Sequence, residues 1–227
     1  MIYLLKYRVI KFLKMKKIIY ILLFQIILTS NVKAQNPVID IHNSVFAEIP
    51  NAYYKDIEGF YNQFEGSWVY TDSEKTIRFR FKKKEMFFRQ SIVNCYYDVL
   101  IGEMQYISNN QELLNSLSNV DINHNIIYRY NMLSLGKVGY NYDPMCLECP
   151  TNVQRLPMMY DEPTNDDSCL AAYFVMRIEI ENGLPKLKVQ YNQTVKSCNM
   201  NKNNFDLPST TTNFTIPYGN YTFTKEN

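Results

Sequence analysis

Residues 174–191 read FVMRIEIENGLPKLKVQY, in which two alternating stretches flank Asn182-Gly183. Apolar residues alternate with charged or polar ones on both sides of this pair, as they do in strands with one buried face. Asn-Gly between such stretches is the strongest short signal for a β-hairpin, because a type I′ turn needs positive φ at both central positions. The stretch therefore predicts two antiparallel strands joined by a two-residue turn.

A two-residue turn also fixes which residues oppose each other in this hairpin. Glu179 is expected opposite Lys186, a favourable pair on the outer face. Arg177 is expected opposite Lys188, which brings two like charges together. The inner face then carries the apolar pairs Phe174–Tyr191, Met176–Val189 and Ile178–Leu187.

Further strands are predicted before and after the hairpin. Residues 76–82 alternate cleanly, with apolar residues on one side and basic residues on the other, and residues 82–85 are typical of a charged turn. Residues 86–107 predict two strands, or one long bulged strand, with breaks at Ser91 and Gly102. The remaining predicted strands are 68–70, 126–130, 132–140, 213–218 and 221–225. About eight or nine strands with turns at short intervals indicate an antiparallel sandwich or barrel.

Three other segments complete the predicted organisation. Residues 35–50 lack periodicity and predict an extended arm. Residues 51–66 predict a short amphipathic helix that is capped by Asn51 and ended by Gly66. Residues 141–168 contain four prolines and predict a long loop, of a kind that is usually functional or disordered in compact domains.

The N-terminus predicts export. Two lysines precede an apolar run at 18–28, and Ala34 offers a small-residue cleavage site. The run is about half the length that spans a bilayer, so residues 1–34 predict a secretory signal peptide and not a membrane anchor. Met15 is the more natural start of such a peptide, and no Cys follows the cleavage point to carry a lipid. We therefore predict that residues 35–227 are secreted or periplasmic and contain no transmembrane segment.

Removal of residues 1–34 would change the sign of the net charge. That segment holds seven of the 24 Lys and Arg residues and none of the 22 Asp and Glu residues, so the net charge of residues 35–227 is 17 minus 22, or −5. A mildly acidic chain disfavours nucleic acid and anionic membranes as partners. The 19 Tyr and 13 Phe residues favour strands over helices.

The order of several motifs resembles a known family. FEGSW at 64–68, which opens the first strand after a short helix, is similar to the Gly-x-Trp start of lipocalin-like barrels. The other matching motifs are YYKDI at 53–57, YDVLIGE at 97–103 and TFTK at 222–225. As a set they resemble an uncharacterised family of exported flavobacterial proteins considered lipocalin-like. The resemblance implies an antiparallel barrel of about eight strands, in which Trp68 closes one end against a basic residue of the last strand. Lys225 is the matching position, and the resemblance implies no activity.

Five cysteines leave at least one thiol unpaired within a monomer. Cys95 lies in an apolar strand and is the predicted free thiol. Disulfides that tether the long loop are predicted among Cys146, Cys149, Cys169 and Cys198, with their connectivity open. One alternative is a redox Cys-x-x-Cys at 146–149, which lacks the helix start or cations that stabilise a thiolate. Another is a four-Cys zinc site, which lacks a second close pair. We expect no metal and no cofactor.

Few residues offer catalytic chemistry. The two histidines, His42 and His124, fall in the predicted arm and in an Asn-rich turn, so we expect mobile, solvated side chains and no catalytic triad. The sequence has no Gly-x-Ser-x-Gly, no His-Glu-x-x-His and no phosphate-binding glycine loop. Residues 121–132 begin like a calcium loop, but Ile126 stands where that loop needs Gly. The acidic residues at 161–167 are expected to be solvated loop charges, with weak calcium binding as the alternative.

The predicted barrel leaves two main functions open. A hollow barrel would line a small apolar pocket with its inner faces, whereas bulky Phe side chains favour a filled interior or a small cavity. The candidate ligand-lining residues are Trp68, Ile77, Phe79, Phe81, Phe174, Met176 and Ile178. We therefore predict an exported lipocalin-like domain that binds a small apolar ligand. The alternative is a filled barrel that serves as a structural or protein-interaction domain of the cell envelope, and an enzyme is the least favoured class.

Overall fold

The structure is a computed structural model that describes residues 16–17, 36–43, 48–90 and 93–226, with residue 195 described by its backbone alone. The predicted signal peptide lies outside the described residues, except for residues 16 and 17. Contacts divide the chain after Asn36, and the fold below is that of the second unit, which begins at Pro37. In the described part of the chain, no helix is long and apolar enough to cross a membrane.

Eleven strands form one sheet within the described ranges. They are β1 (Val38–Asp40), β2 (Tyr53–Lys55), β3 (Gly66–Thr71), β4 (Lys75–Arg89), β5 (Cys95–Ser108), β6 (Gln111–Asn115), β7 (Met132–Ser134), β8 (Leu156–Tyr160), β9 (Ala171–Glu181), β10 (Leu184–Val195) and β11 (Gly219–Lys225). Eight of them close into an antiparallel barrel in the order β3, β4, β5, β7, β8, β9, β10 and β11, and β11 pairs with β3 again. This confirms the predicted all-β antiparallel barrel.

The hairpin of β9 and β10 has the predicted register. Asn182 and Gly183 have φ angles of 52° and 77°, as a type I′ turn requires. Ile178 lies opposite Leu187, and the like charges Arg177 and Lys188 lie opposite each other on the outer face. The alternation therefore determined both faces of this hairpin.

Strands β4 and β5 are longer than the sequence pattern predicts. The predicted charged turn at 82–85 is wrong, because β4 continues to Arg89 with a bulge between Lys84 and Phe87. The expected break at Gly102 is also wrong, since β5 runs through it. Gly102 is instead required by packing: a Cβ at this position would lie 2.6 Å from the ring of Phe81, its partner on β4.

One edge of β5 is shared by three strands. Near its start β2 pairs with it in parallel, in its middle β7 closes the barrel, and near its end β6 pairs antiparallel. The predicted arm, residues 35–50, contributes β1, which pairs in parallel with β2. The arm thus extends the sheet beside the barrel.

The helical prediction for residues 51–66 is largely wrong. Residues 53–55 form β2, and only Phe60–Phe64 are helical, as a 3-10 helix that follows Gly59 at φ 68°. Two backbone N–H groups at its start, those of Phe60 and Tyr61, donate to the carboxylate of Asp56. The short helix before the first barrel strand is therefore present, but it is confined to one turn and a half.

Two further expectations differ from the structure. Residues 126–130 contain a 3-10 helix, Ile127–Arg129, where a strand was predicted, and residues 213–218 form no strand. The predicted loop 141–168 contains β8, which pairs with β7 on one side and β9 on the other. Without β8 the barrel would stay open, so this missed strand is the one that completes the fold.

Candidate functional site

Large side chains are buried in the interior of the barrel. Of the seven predicted ligand-lining residues, six are buried and Ile178 is half-buried against the same core. The rings of Phe79 and Phe223 stack with centroids 4.5 Å apart, and Phe174 stacks on Tyr191 at 4.1 Å. Phe79 also meets Phe174 edge to face at 5.1 Å. A continuous set of aromatic contacts thus crosses the interior, and the ligand-lining role of these residues stays a prediction.

Trp68 is fully buried in the core of the barrel. Its indole Nε1 donates to the carbonyl of Phe64 at 2.8 Å, so the buried ring has its polar atom satisfied. Lys225 lies opposite Trp68 on β11 and places Nζ 5.2 Å from the centre of its ring. The basic residue predicted to cover Trp68 is therefore in place.

A charged cluster lies where the inner faces of β4 and β5 end. Lys83 follows Ile77, Phe79 and Phe81 at alternate positions of β4, and its side chain is 8% exposed. Its Nζ lies 3.2 Å from Asp56 Oδ2 and 3.7 Å from Asp98 Oδ2. These buried charges are compensated by each other, which is the condition under which a buried ion pair persists.

His42 joins this cluster from the arm. Its Nε2 lies 3.0 Å from Asp56 Oδ1, its side chain is buried, and its Nδ1 is buried without a hydrogen bond in the described part of the chain. The expectation of a mobile, solvated His42 is wrong, because the arm folds its ring against Phe60 and Tyr61. Burial alone would raise the pKa of Asp56, but hydrogen bonds from Tyr61, His42, Phe60 and Lys83 outweigh burial and lower it.

A polar group also lies inside the core of the barrel. The hydroxyl of Tyr191 is buried and makes no hydrogen bond among the described residues. Nearby, the hydroxyl of Tyr160 donates to Glu162 Oε2 at 3.1 Å, and Glu162 also accepts from Thr215. Burial raises the pKa of Tyr160 and that of Tyr191 well above the usual range of a tyrosine. Tyr191 is therefore a buried donor for which the surrounding side chains supply no acceptor.

Four cysteines form two disulfides. Cys146 pairs with Cys149 and Cys169 with Cys198, whereas Cys95 is free and buried as predicted. Among the described residues, two groups of potential metal ligands occur, one around each disulfide, and in both the sulfurs are already bonded to each other. The Cys169–Cys198 bridge joins the end of the long loop to the segment after β10, as the tethering prediction requires, whereas Cys146–Cys149 closes a short turn within the loop.

The acidic residues at 161–167 organise the second tether. Asp166 accepts hydrogen bonds from the backbone N–H groups of Thr210 and Thr211, and Asp167 accepts from those of Cys169 and Leu170. The hydrogen bonds from Thr210 and Thr211 lower the pKa of Asp166. The expectation of solvated loop charges is thus wrong for Glu162 and Asp167, which are buried acceptors.

His124 and a buried carboxylate lie on the outer side of the barrel. Glu103 is fully buried beneath residues 116–131 and accepts hydrogen bonds from the amides of Asn119 and Asn131. His124 is half-buried, with its Nε2 2.7 Å from Asn119 Oδ1, so it is also more ordered than expected. Burial raises the pKa of Glu103, against the effect of these hydrogen bonds.

Arg155, just before β8, is a buried cation that sequence reasoning missed. Its Nη1 donates to the carbonyl of Pro144 at 2.7 Å and to Gln190 Oε1 at 2.8 Å. Its other donors bind the carbonyls of Gly139, Tyr140 and Tyr142. These neutral acceptors hold the loop between β7 and β8 against the barrel. No local pattern marks Arg155, because all of its partners are backbone or amide oxygens.

In the described part of the chain, two of the grooves that open to solvent are bordered by charged side chains. One, of about 440 Å³, lies on the outer faces of β9, β10 and β11 beside the Cys146–Cys149 loop. It is lined by Glu148, Arg177, Glu179, Lys188, Val189, Gln190, Asn220, Tyr221 and Thr222. The other, of about 600 Å³, is lined by Asn62, Glu65, Lys83, Lys84 and Glu85. The described residues include three buried carboxylates with shifted pKa values, Asp56, Glu103 and Asp167, and none of them lines either groove.

The comparisons with known proteins assign a family without an activity. No curated protein and no solved structure matches the chain. A family model described as a family of unknown function (DUF6705) matches residues 15–226. This match spans the whole barrel, the arm and both disulfides, and the chain therefore belongs to the DUF6705 family.

Proposed function

We propose that the chain is exported and that its barrel acts through its outer surface, as a structural or protein-interaction domain of the cell envelope. The observation that carries this proposal is the continuous set of aromatic contacts that crosses the interior. The side chains predicted to line a pocket contact one another across the barrel, so the space that a ligand needs is occupied by Phe79, Phe174 and their neighbours.

Export is supported by the predicted signal peptide and by the two disulfides. Disulfides form and persist in oxidising compartments and are rare in the cytosol of mesophiles. The Cys169–Cys198 bridge joins segments that Asp166 and Asp167 also bind, so its oxidation is consistent with the hydrogen bonding around it.

We also propose that the barrel is lipocalin-like. In support, a short helical turn precedes β3, Trp68 lies buried near the start of that strand, and Lys225 of the last strand covers its ring. Such barrels often hold a small molecule, and one observation favours this second function: the unpartnered hydroxyl of Tyr191 could bind a small ligand or a water molecule.

Mass spectrometry of the exported protein separates the two functions. The full-length gene would be expressed in a bacterium that secretes through the Sec pathway, and the product purified without detergent. Under denaturing conditions we expect the mass of residues 35–227, less the hydrogens lost to two disulfides. Under native conditions we expect the same mass. An excess that disappears on denaturation would overturn the filled barrel and establish a bound ligand.

A cavity variant provides the matched control. Phe174→Ala removes a buried ring from the centre of the aromatic contacts and should leave an apolar cavity that binds benzene. We expect benzene to raise the unfolding temperature of this variant and not that of the wild type. Equal stabilisation of both proteins would show that the wild-type interior already has room for a ligand.

A further inference from the structure

The outer face of β9 and β10 brings two cations together beside a groove. Arg177 and Lys188 lie directly opposite each other, an arrangement that destabilises a sheet unless anions compensate it. Behind them lies Arg155, which is fully buried and hydrogen-bonded only to neutral oxygens. Glu179 and Glu181 of β9 supply counter-charges to Arg177 and Lys188.

One more counter-charge comes from the disulfide-closed loop. Glu148, between Cys146 and Cys149, places Oε1 3.2 Å from Nη2 of Arg177. The Glu148 side chain is 63% exposed, whereas that of Arg177 is 7% exposed. Because water competes for an exposed carboxylate, this pair is weak and readily exchanged. Glu148 therefore pairs with Arg177 from outside the sheet, and another carboxylate can take its place.

Several donors beside Arg177 lack acceptors. Its Nε donates to Glu179 at 2.7 Å, but its Nη1 makes no hydrogen bond within the described ranges. Gln190 uses only its Oε1, to accept from Arg155, and no hydrogen bond of the Asn220 side chain occurs in the part of the chain that the structure describes. Gln190 and Asn220 lie opposite each other on β10 and β11 and border the same groove.

We propose that this groove binds a small organic acid that carries further oxygen acceptors. Its carboxylate replaces that of Glu148 and takes both Nη1 and Nη2 of Arg177, the bidentate geometry for which a guanidinium is suited. Its other oxygens accept from Gln190 and Asn220. The volume of about 440 Å³ is within the range of small-molecule sites. The inference goes beyond the proposed structural or protein-interaction role and shares with it only the use of the outer surface.

The test is a calorimetric titration of the exported wild-type protein with galacturonate, a sugar acid, and with galactose, its neutral counterpart. We expect galacturonate to bind and galactose not to bind. Glu148→Gln removes the competing carboxylate and should tighten galacturonate binding about tenfold. Glu112→Gln is the control, because Glu112 is an exposed carboxylate on β6, away from the strands that border the groove. It should leave the affinity within about twofold of the wild type.

A conservative variant guards against loss of folding. Arg177→Lys keeps the charge but loses the guanidinium fork, and should weaken galacturonate binding about tenfold while the denaturation midpoint shows a folded protein. Equal binding of the two sugars, or no gain in Glu148→Gln, would overturn the inference. An interior ligand found by native mass spectrometry would overturn the proposed function. It would leave the inference intact, because the titration reports on the outer groove.

Discussion

Lys225 Nζ lies 5.2 Å from the centre of the Trp68 ring, and the two residues face each other where the last barrel strand pairs with the first. Gly66, two residues before Trp68, has a φ of 104°, and a Cβ there would lie 3.3 Å from Cε of Lys225. The aliphatic stem of Lys225 therefore fills the space above Gly66 while its ammonium group covers the indole ring. One side chain thus links the closure of the barrel to the burial of its only tryptophan.

Removing this contact should weaken the closure of the barrel. Lys225→Ala is expected to lower the free energy of unfolding by about 0.5–1 kcal/mol, because an exposed cation–π contact and the cover over Trp68 are lost. Lys225→Arg should retain the stability, since a guanidinium also binds an indole face. Chemical denaturation monitored by Trp fluorescence measures both. Lys186→Ala, on the outer face of β10, is the control, and an equal loss in the two alanine variants would show that the ring contact contributes nothing.

The cluster of Asp56, Lys83, Asp98 and His42 should make stability depend on acid. The pKa of Asp56 is lowered in the folded protein, so its contribution is present above its ordinary value of 3.8 and is lost as the pH falls through the lowered pKa. Asp56→Asn removes one of the carboxylates that pair with the buried ammonium of Lys83, and should lower the free energy of unfolding by about 3 kcal/mol at pH 7. Denaturant unfolding at a series of pH values measures both effects.

An exposed ion pair provides the comparison for Asp56. Asp121 pairs with Arg80 at 2.7 Å, but its side chain is 52% exposed. Asp121→Asn should therefore cost less than about 1 kcal/mol. A loss in Asp56→Asn as small as that in Asp121→Asn would mean that the buried cluster does not hold the arm and the 3-10 helix in place.

Local alternation explains how much of the fold was predictable. The turn and register of the β9–β10 hairpin were predicted to the residue, because the turn type and the period of two both act over a few positions. The same period continues from Phe81 to Lys83, so the inward direction of Lys83 could have been read from the sequence. Three consecutive lysines instead predicted a turn, because lysines are usually exposed. Lys83 is buried only because Asp56 and Asp98, from other segments, pair with it, and the local sequence does not show this.

The elements that were missed depend on distant partners. Strand β8 contains Pro157 and no alternation, and it is a strand because β7 and β9 lie on its two sides. His42 is buried because the arm pairs with β2 and meets Asp56. Neither contact has a local signal. The sequence gives one indication of the candidate groove, the like charges of Arg177 and Lys188 at opposed positions of the hairpin.

The two disulfides should differ in their contribution to stability. Cys169 and Cys198 are 29 residues apart, whereas Cys146 and Cys149 are three apart. A crosslink restricts the unfolded chain more when it closes a longer loop. Replacing Cys169 and Cys198 with Ser should therefore lower the free energy of unfolding by about 4 kcal/mol, and replacing Cys146 and Cys149 by about 2 kcal/mol. Denaturant unfolding with and without reductant measures this difference. Equal losses, or a greater loss for the 146–149 pair, would contradict the loop-length argument.

Gly102 should tolerate no side chain. A Cβ would lie 2.6 Å from the buried ring of Phe81, so Gly102→Ala must displace that ring and should cost about 1–3 kcal/mol. Gly139→Ala is the control, because its Cβ would meet only a side-chain oxygen of Asn141, at 3.2 Å. Thermal unfolding of the two variants compares them. Equal unfolding temperatures would show that the packing of β4 against β5 can adjust at this point.

Glu103 should destabilise the barrel once it is ionised. No ion pair to this buried carboxylate occurs among the described residues, and burial raises its pKa above the ordinary 4.5. Below pH 4.5 Glu103 is protonated in both the folded and the unfolded chain, so it does not lower the free energy of unfolding there. Because its pKa is raised in the folded protein, the free energy of unfolding falls as the pH rises through that raised pKa. Glu103→Gln should therefore raise the unfolding temperature at pH 7 by roughly 2–4 °C and leave it unchanged at acid pH.

The hydrogen bonds around Glu103 can accept this change. A Gln oxygen can still accept from the Asn119 amide and the Asn131 backbone, and the Asn131 side-chain amide can turn to accept from the new Gln N–H. Glu112→Gln, an exposed carboxylate on β6, is the control and should show no such dependence on pH. If Glu103→Gln instead lowers the unfolding temperature by the same amount at every pH, the carboxylate is bound in its ionised form and the positions of Asn119 and Asn131 depend on its charge.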